Sequence, residues 1–470
     1  MIPVWPGPPW TSGHPSRLTI PVIVGIGAAL ALVAVFAEFS LTKVVVVLML
    51  GIPIVALLSV SFELTVMTFI ALLFSLQDAG VVKIVVPFAA AVGFSFVLTH
   101  RNVQLRDFSS PVTGPMALYL FSMLPSLLNT PDLGRTLPYL QNSIALAVIV
   151  LILGASIRRQ KECKNYLGAF YVLAMINAFI VIMTGLSTGR RAYGIPGIVY
   201  VDFVVIIILF ALNYGLFHRG GRRMWALVAV VIAVVALLLT QTRNTLLSSA
   251  LCLAVYAVYL VRNNHLLNVS RRRLALGGVV LTVMLLAAVG FALVYLPQSF
   301  ERIEQLGQSS AYELKTEEDF AVNSFVTRLL IWITAWNGFM EHPIFGVGAF
   351  SFPFASVLYF DFPPYLYRRW VEGLGPHVAY LAVLVETGIV GFVGFLVFLG
   401  SSLRMAFRSV SMSVTRDERF VSTTILLAQL YVVASMFLTD AWLWGQCGML
   451  WALILGVSVA NHRILARTNE

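Results

Sequence analysis

The chain has 470 residues, of which 59% are hydrophobic and 11% are charged, and its mean hydropathy is +0.90. A soluble domain cannot bury that much apolar surface, so the composition excludes an ordinary soluble protein. The net charge of +10 follows the pattern of membrane loops, and no nucleic-acid partner is expected. The three cysteines are far apart in sequence, which argues against a disulfide framework or a zinc site.

Long apolar runs recur along the chain and predict an all-α, polytopic integral membrane protein with 12–14 transmembrane helices. Residues 1–17 form an N-terminal tail without a small-residue cleavage site, so the first run is expected to be an uncleaved anchor. Transmembrane helices occupy 18–296, a large loop occupies 297–375, and further transmembrane helices with a short tail occupy 376–470. The predicted spans are 18–37, 41–60, 62–78, 81–99, 112–129, 138–157, 165–187, 196–217, 223–240, 243–262, 273–296, 376–401, 420–439 and 442–462.

The basic residues set the predicted orientation. With both termini in the cytoplasm, 20 of the 31 Lys and Arg residues lie on the inner side. The loop 297–375, between the eleventh and twelfth spans, then lies outside, in the periplasm of a cell with two membranes. The remaining basic residues are too many for an outer face, and arginines at the outer ends of helices indicate an anionic ligand such as a diphosphate.

Two short turns carry the arginines that best fit this role. The turn at 189–197 contains Arg190 and Arg191 among glycines and a proline, and Asp202 follows where it could pair with one of them. The turn at 240–244 is a compact polar segment between two apolar helices. Its Arg243 needs either a distant carboxylate or a bound anion, and the anion is favoured.

The outer loop contains an apolar pattern over 325–340 that predicts an amphipathic helix on the membrane surface, and Arg328 lies on it. His342 precedes a proline in a turn and is interpreted as structural. His377 begins the twelfth span, with Gly388 and Gly391 on its helical face, where small residues would admit a neighbouring helix. Glu386 falls on the opposite face and is not expected to partner His377.

These features together resemble the O-antigen ligase and polymerase superfamily of bacterial lipid-linked glycan transferases. The resemblance covers residues 185–400. It rests on Arg191 with its Gly and Pro turn, on Thr242–Arg243, on an R-x-x-x-W…H-P-I-F-G-V-G stretch from Arg328, and on the H-[NSQ]-x9-G-x-x-G pattern at His377, Gly388 and Gly391. Val378 stands where that pattern has a polar residue, which leaves ligase and polymerase both open.

The resemblance implies a GT-C-like, multi-pass protein of the bacterial inner membrane that transfers a glycan from undecaprenyl diphosphate. The acceptor is the lipid A core for a ligase and a lipid-linked glycan for a polymerase, and no metal or cofactor is implied. We expect Arg191 and Arg243, supported by Arg190 and Arg328, to bind the diphosphate, and His377 to act as the base. Two rivals are a carboxylate-based transferase using Glu38 and a flippase. A flippase should carry charge through the bilayer depth, whereas the outer arginines cluster at one surface.

Overall fold

The computed structural model describes residues 62–75, 78–99, 105–188, 192, 195, 200–218, 220–240, 242–262, 324–443 and 445–469. Within these ranges the chain consists of helices and irregular connections, without a strand. Numbered in chain order, the helices are α1 (Phe62–Ser75), α2 (Asp78–Thr99), α3 (Thr113–Ser122), α4 (Leu133–Ser156), α5 (Gln160–Thr188), α6 (Tyr200–Phe217), α7 (Gly221–Leu239), α8 (Arg243–Arg262), α9 (Ser324–Glu341), α10 (Phe352–Ala355), α11 (Pro364–Trp370), α12 (Ala379–Met412), α13 (Arg416–Ser435) and α14 (Gly445–Asn469).

Six of the described helices are long and apolar enough to cross a membrane: α4, α5, α6, α7, α12 and α14. The prediction of a helical, multi-pass membrane protein is therefore confirmed. The predicted spans 18–37, 41–60 and 273–296 lie outside the described residues, as does Glu38. The count of 12–14 spans and the numbering of the spans that flank the large loop stay predictions.

One predicted span differs from the structure. The segment 112–129 is not one continuous helix, because α3 ends at Ser122 and a separate 3-10 turn follows at Pro125–Asn129. Proline lacks the N–H that would continue the α-helical hydrogen bonding. The ten residues of α3 extend about 15 Å, which is half the thickness of the hydrocarbon core.

The centre of the bundle is formed by α6, α13 and α14, whose residues are buried on nearly all sides. Asn213 on α6 connects three helices through its amide. Its Nδ2 donates to the Phe420 carbonyl oxygen at 2.9 Å and to Thr424 Oγ1 at 2.7 Å on α13, and its Oδ1 accepts from the Tyr256 hydroxyl of α8 at 2.8 Å. Because an unpaired amide is costly in an apolar bundle, these bonds specify the register of α6, α8 and α13.

Helices α4 and α14 pack closely because each presents a glycine to the other. A Cβ on Gly154 would lie 2.6 Å from Val459 Cγ1, and a Cβ on Gly456 would lie 2.6 Å from Leu153 Cβ. Such reciprocal small residues let the backbones of two membrane helices approach each other closely.

The bundle has two polar ends. At one end, Lys164 pairs with Asp417 at 2.9 Å, and Arg463 donates to the carbonyl oxygens of Asp107, Ala155 and Ile157. All of these basic residues were predicted for the inner side. The opposite end, called here the His377 end, contains the start of α6, the turn between α7 and α8, the start of α12 and the end of α13. The turn that leads to Arg243 and the corner at His377 therefore share one end of the bundle.

Candidate functional site

His377 lies at a sharp corner of the chain rather than on a helix. Helix α12 begins at Ala379 with Val378 extended before it, and His377 has a φ of 56°. The prediction that His377 begins the helix is therefore wrong, and so is the helical-face relation between His377, Gly388 and Gly391. A positive φ costs a non-glycine residue about 1–2 kcal/mol, so surrounding contacts must hold this corner.

Asp440 supplies one of those contacts. It lies between α13 and the 3-10 turn Ala441–Leu443, and its Oδ2 accepts the backbone N–H of His377 at 3.2 Å. Its Oδ1 lies 4.0 Å from His377 Nδ1. The Asp440 side chain is only 11% exposed, whereas the imidazole is 36% exposed. A Cβ on Gly375 would lie 2.4 Å from Asp440 Oδ2, so the carboxylate fits beside this backbone only because residue 375 is a glycine.

Two further backbone and side-chain bonds fasten the corner. The N–H of Ala379 donates to the Met436 carbonyl oxygen at 2.9 Å, which ties the start of α12 to the end of α13. The indole N–H of Trp332 on α9 donates to the Pro376 carbonyl oxygen at 2.9 Å. The corner is thus held from both α13 and α9.

Arg328 lies one turn before Trp332 on α9 and completes what we call the His377 cluster, defined as Arg328, His377 and Asp440. Burial lowers the pKa of the His377 imidazole; the charge of Asp440 raises it and the charge of Arg328 lowers it further. Burial also lowers the pKa of Arg328, and Asp440 acts against that shift. Because the pKa of His377 falls below its usual 6.5, the imidazole is neutral at pH 7 and able to accept a proton.

Asp440 was not identified from the sequence. It falls in a connection of a few residues between two predicted spans, 63 positions after His377. Its signal was an acid at the outer end of a helix with no basic residue near it in sequence, which is unusual enough in a membrane protein to indicate a distant partner.

The turn that leads to Arg243 lies at the His377 end, and Ala192 contacts the helix before it. Arg190 and Arg191 lie outside the described residues, but Ala192 is buried and its N–H donates to the Leu239 carbonyl oxygen at 3.3 Å. Leu239 ends α7, and Arg243 begins α8 after a turn in which the hydroxyls of Thr240 and Thr242 are 2.9 Å apart. The chain that follows Arg191 therefore lies against the helix end that leads to Arg243.

The packing of α8 against α13 gives the level of Arg243 in the bundle. The Cys252 thiol donates to the Leu427 carbonyl oxygen at 3.7 Å, so these antiparallel helices are level there. Arg243 precedes Cys252 on α8 by as many residues as Met436 follows Leu427. Because both helices rise by the same distance per residue, Arg243 and Met436 are also level. Met436 is the residue that bonds to the start of α12. The backbone of Arg243 thus lies level with the His377 corner.

Helix α12 is interrupted at Gly388, where φ is 64° and ψ is −168°. The loop 343–348 fills the interruption with backbone bonds: Val347 N–H to the Val385 carbonyl oxygen at 2.9 Å, Gly348 N–H to that of Glu386 at 3.0 Å, and Ile389 N–H to that of Pro343 at 2.9 Å. These bonds satisfy groups that the broken helix would leave unpaired.

The two glycines of the motif therefore act differently from the expectation. A Cβ on Gly388 would lie 2.3 Å from the Ile344 carbonyl oxygen, so this glycine admits the loop rather than a neighbouring helix. A Cβ on Gly391 would lie 2.0 Å from Thr387 Oγ1, so Gly391 makes room for a side chain of its own helix.

Three other polar residues singled out in the sequence have partners elsewhere. Glu386 is buried and accepts the N–H of Phe352 at 3.2 Å, away from His377. His342 packs edge-on against Tyr359, with 6.1 Å between ring centroids. Asp202 is buried and accepts from the hydroxyl of Tyr431 and the thiol of Cys447.

The fold and this arrangement define a class: a polytopic helical membrane protein in which a histidine, a carboxylate and the guanidinium of Arg328 lie at one end of the bundle. Residues 228–396 match the family model described as O-Antigen ligase. The resemblance to the O-antigen ligase and polymerase superfamily is thereby confirmed, and the chain carries that family's domain over these residues. Family members are glycosyltransferase-like enzymes that act on lipid-linked glycans.

The matched segment contains Arg243, Arg328, His377 and both motif glycines, whereas Asp440 lies beyond it. No curated protein matches the chain in a sequence search.

Proposed function

We propose that the protein transfers a glycan from undecaprenyl diphosphate to an acceptor hydroxyl, that of the lipid A core, at the periplasmic face of the bacterial inner membrane. The observation that carries this proposal is the His377 cluster, which combines a neutral imidazole, a carboxylate 4.0 Å from it and a guanidinium at the bundle end that also contains Arg243. Such a combination suits proton abstraction beside a departing anion.

In the proposed step, the acceptor oxygen attacks the anomeric carbon as the bond from that carbon to the diphosphate oxygen breaks. Attack from the face opposite the leaving group inverts the anomeric centre. The acceptor proton goes to His377, and the diphosphate leaves on its polyprenyl chain with the negative charge. The broken sugar–diphosphate bond supplies the driving force, so neither ATP nor a metal ion is required, and the sequence contains no DxD motif.

Each residue of the site then has a role. Arg191 and Arg243, with Arg190 and Arg328 in support, stabilise the charge that grows on the diphosphate. Asp440 faces Nδ1 of His377, which favours a proton on that nitrogen and leaves Nε2 to accept the acceptor's proton. When the imidazole becomes protonated, the same carboxylate stabilises the imidazolium.

The test is glycan transfer by purified protein in nanodiscs with an undecaprenyl-diphosphate-linked donor. Replacing His377 with Ala should lower kcat by about 10²–10⁴-fold, the usual contribution of a general base. His342→Ala is the matched control, since that imidazole packs against Tyr359 in a loop, and it should retain near wild-type kcat. Transfer by His377→Ala or Arg243→Ala at the wild-type rate would refute the assignment.

A polymerase that joins lipid-linked repeat units is the second candidate. The observation that favours it is Val378, which is apolar and forms no side-chain cap at the start of α12, where the ligase pattern has a polar residue. The surface glycans of a deletion strain separate the two. Loss of a ligase leaves long polymers on the lipid carrier, whereas loss of a polymerase leaves single repeats on the final acceptor. Unchanged glycans would contradict both.

A further inference from the structure

Helix α12 differs along its length. Its outer part has no exposed residues, whereas the rest of the helix exposes apolar side chains. No residue of 379–388 is exposed, whereas Ile389, Val390, Val393, Leu396 and Val397 are each 38–50% exposed. Residues 389–403, which precede the exposed Arg404, extend about 22 Å, most of a hydrocarbon core of about 30 Å. Exposed apolar surface on this side therefore begins at the Gly388 break, and the start of α12 at Ala379, two residues after His377, lies about 14 Å beyond it.

Helix α9 runs alongside this outer part of α12 in the same direction. Trp332 of α9 donates to the carbonyl oxygen of Pro376, just before α12 begins. The loop that follows α9 enters the break in α12 at Gly388. Between these two points, Leu330 and Ala335 pack into a cluster with Val385 of α12. Helix α9 therefore stands beside the outer part of α12 and ends at the level where the exposed apolar surface begins; its position relative to the membrane surface stays a prediction.

The other face of α9 is apolar and exposed. Trp336 and Met340, one turn apart, continue into Ile344 and Phe345 of the loop, and these four side chains are 41–61% exposed. We call them the apolar ladder. Its lower end, Ile344 and Phe345, is in backbone contact with Gly388 at the start of the lipid-facing surface. Its upper end leads along α9 to Trp332 and Arg328, at the His377 cluster.

We propose that the apolar ladder binds the polyisoprenyl chain of the donor, in the isoprene units next to the diphosphate. This inference rests on the proposed function. A diphosphate that reaches His377 must draw the first part of its chain out of the hydrocarbon, and exposing that chain to water is unfavourable in proportion to its area. The apolar ladder provides apolar surface between the lipid-facing part of α12 and the His377 cluster. The positive charge of Arg328 at its upper end complements the negative charge of the diphosphate.

The test uses full-length protein in nanodiscs and an undecaprenyl diphosphate that carries a diazirine in the isoprene unit nearest the diphosphate. Labelling, mapped by mass spectrometry, should fall on 336–345 and should drop about tenfold or more when a hundredfold excess of unlabelled undecaprenyl diphosphate is added. The variant Trp336→Ser with Met340→Ser should lose about fivefold of the labelling. Met340→Ser alone gives a milder variant whose unfolding temperature can be compared with wild type.

Leu358→Ser is the matched control. Leu358 is 65% exposed in the same outer segment, but its 3-10 turn, Ser356–Tyr359, packs against α9 at Gly338, on the face opposite the ladder. This variant should label as wild type does.

Three results would overturn the proposal: labelling of 336–345 that resists competition, equal labelling by a diazirine phospholipid, which marks ordinary bilayer contact, and cross-linking of the ladder to a second copy of the chain. The assay reads lipid binding without glycan. If unlabelled lipid competes away the labelling but the protein transfers no glycan, only the proposed function is refuted. If the protein transfers glycan but the apolar ladder is not labelled, only the proposal for the ladder is refuted.

Discussion

Asp440 and Arg328 should move the pH dependence of transfer in opposite directions. The active form of His377 is the neutral imidazole, so the rate rises with pH through the pKa of His377 and then reaches a plateau. Asp440 raises that pKa and Arg328 lowers it. Asp440→Asn should therefore shift the acidic limb of the pH–rate profile to lower pH, and Arg328→Gln should shift it to higher pH.

The plateau should fall as well in Asp440→Asn, because the carboxylate no longer stabilises the imidazolium. Opposite charges 4.0 Å apart interact by about 1 kcal/mol at the dielectric constant of water and by about 4 kcal/mol at an effective value of 20. The imidazole is 36% exposed, so solvent screening places the interaction near the lower value, about 1–2 kcal/mol. The plateau rate should accordingly fall by roughly 5–30-fold.

The assay is the initial rate of glycan transfer by purified protein between pH 5 and 8 at saturating donor. Asp361→Asn is the matched control, because Asp361 is an exposed acid of the same outer segment whose carboxylate accepts from Asn337 at 2.8 Å. Its profile should match wild type. Shifts of Asp440→Asn and Arg328→Gln in the same direction, or an unmoved acidic limb in both, would refute the assigned electrostatics.

Two further predictions concern the frame that holds the site. Gly388→Ala should lower the free energy of unfolding by about 2–4 kcal/mol, because the new Cβ meets the inserted loop at 2.3 Å and the φ is positive; thermal unfolding measures this, and Gly400→Ala in the same helix, with open space around it, should be neutral or slightly stabilising. Asp202→Leu should cost about 1–3 kcal/mol by leaving the buried Tyr431 hydroxyl without its acceptor, whereas Asp202→Asn should cost less because it keeps a carbonyl oxygen. Equal unfolding temperatures within either pair would contradict these explanations.

Much of the helical frame was predictable because a transmembrane helix can be recognised from its local sequence. A run of apolar residues long enough to cross the hydrocarbon has no other stable conformation, so the span predicted at 223–240 nearly coincides with α7, Gly221–Leu239. The grouping of charges was also predictable, since alternating spans place every second connection at the same end. That is why the turn that leads to Arg243 and the corner with His377 share one end of the bundle.

The failures share a physical cause as well. Periodicity extended the helix of α12 back through His377 and forward through Gly388, because nothing local shows that a distant loop will supply replacement hydrogen bonds. In the structure, Pro343 and Val347 supply them at the break, and Met436 and Asp440 supply them at the corner.

Local sequence patterns sufficed to predict a multi-pass helical membrane protein, the family that it resembles, and the residue types available for chemistry at the His377 end. Apolar length and charge position suffice for those conclusions because each acts within a few residues. The folded structure was needed to show that Asp440 holds His377 at a strained corner, that α9 stands beside α12, and that Gly388 admits a loop. Those features depend on contacts between segments far apart in the chain, which exist only once the helices have packed.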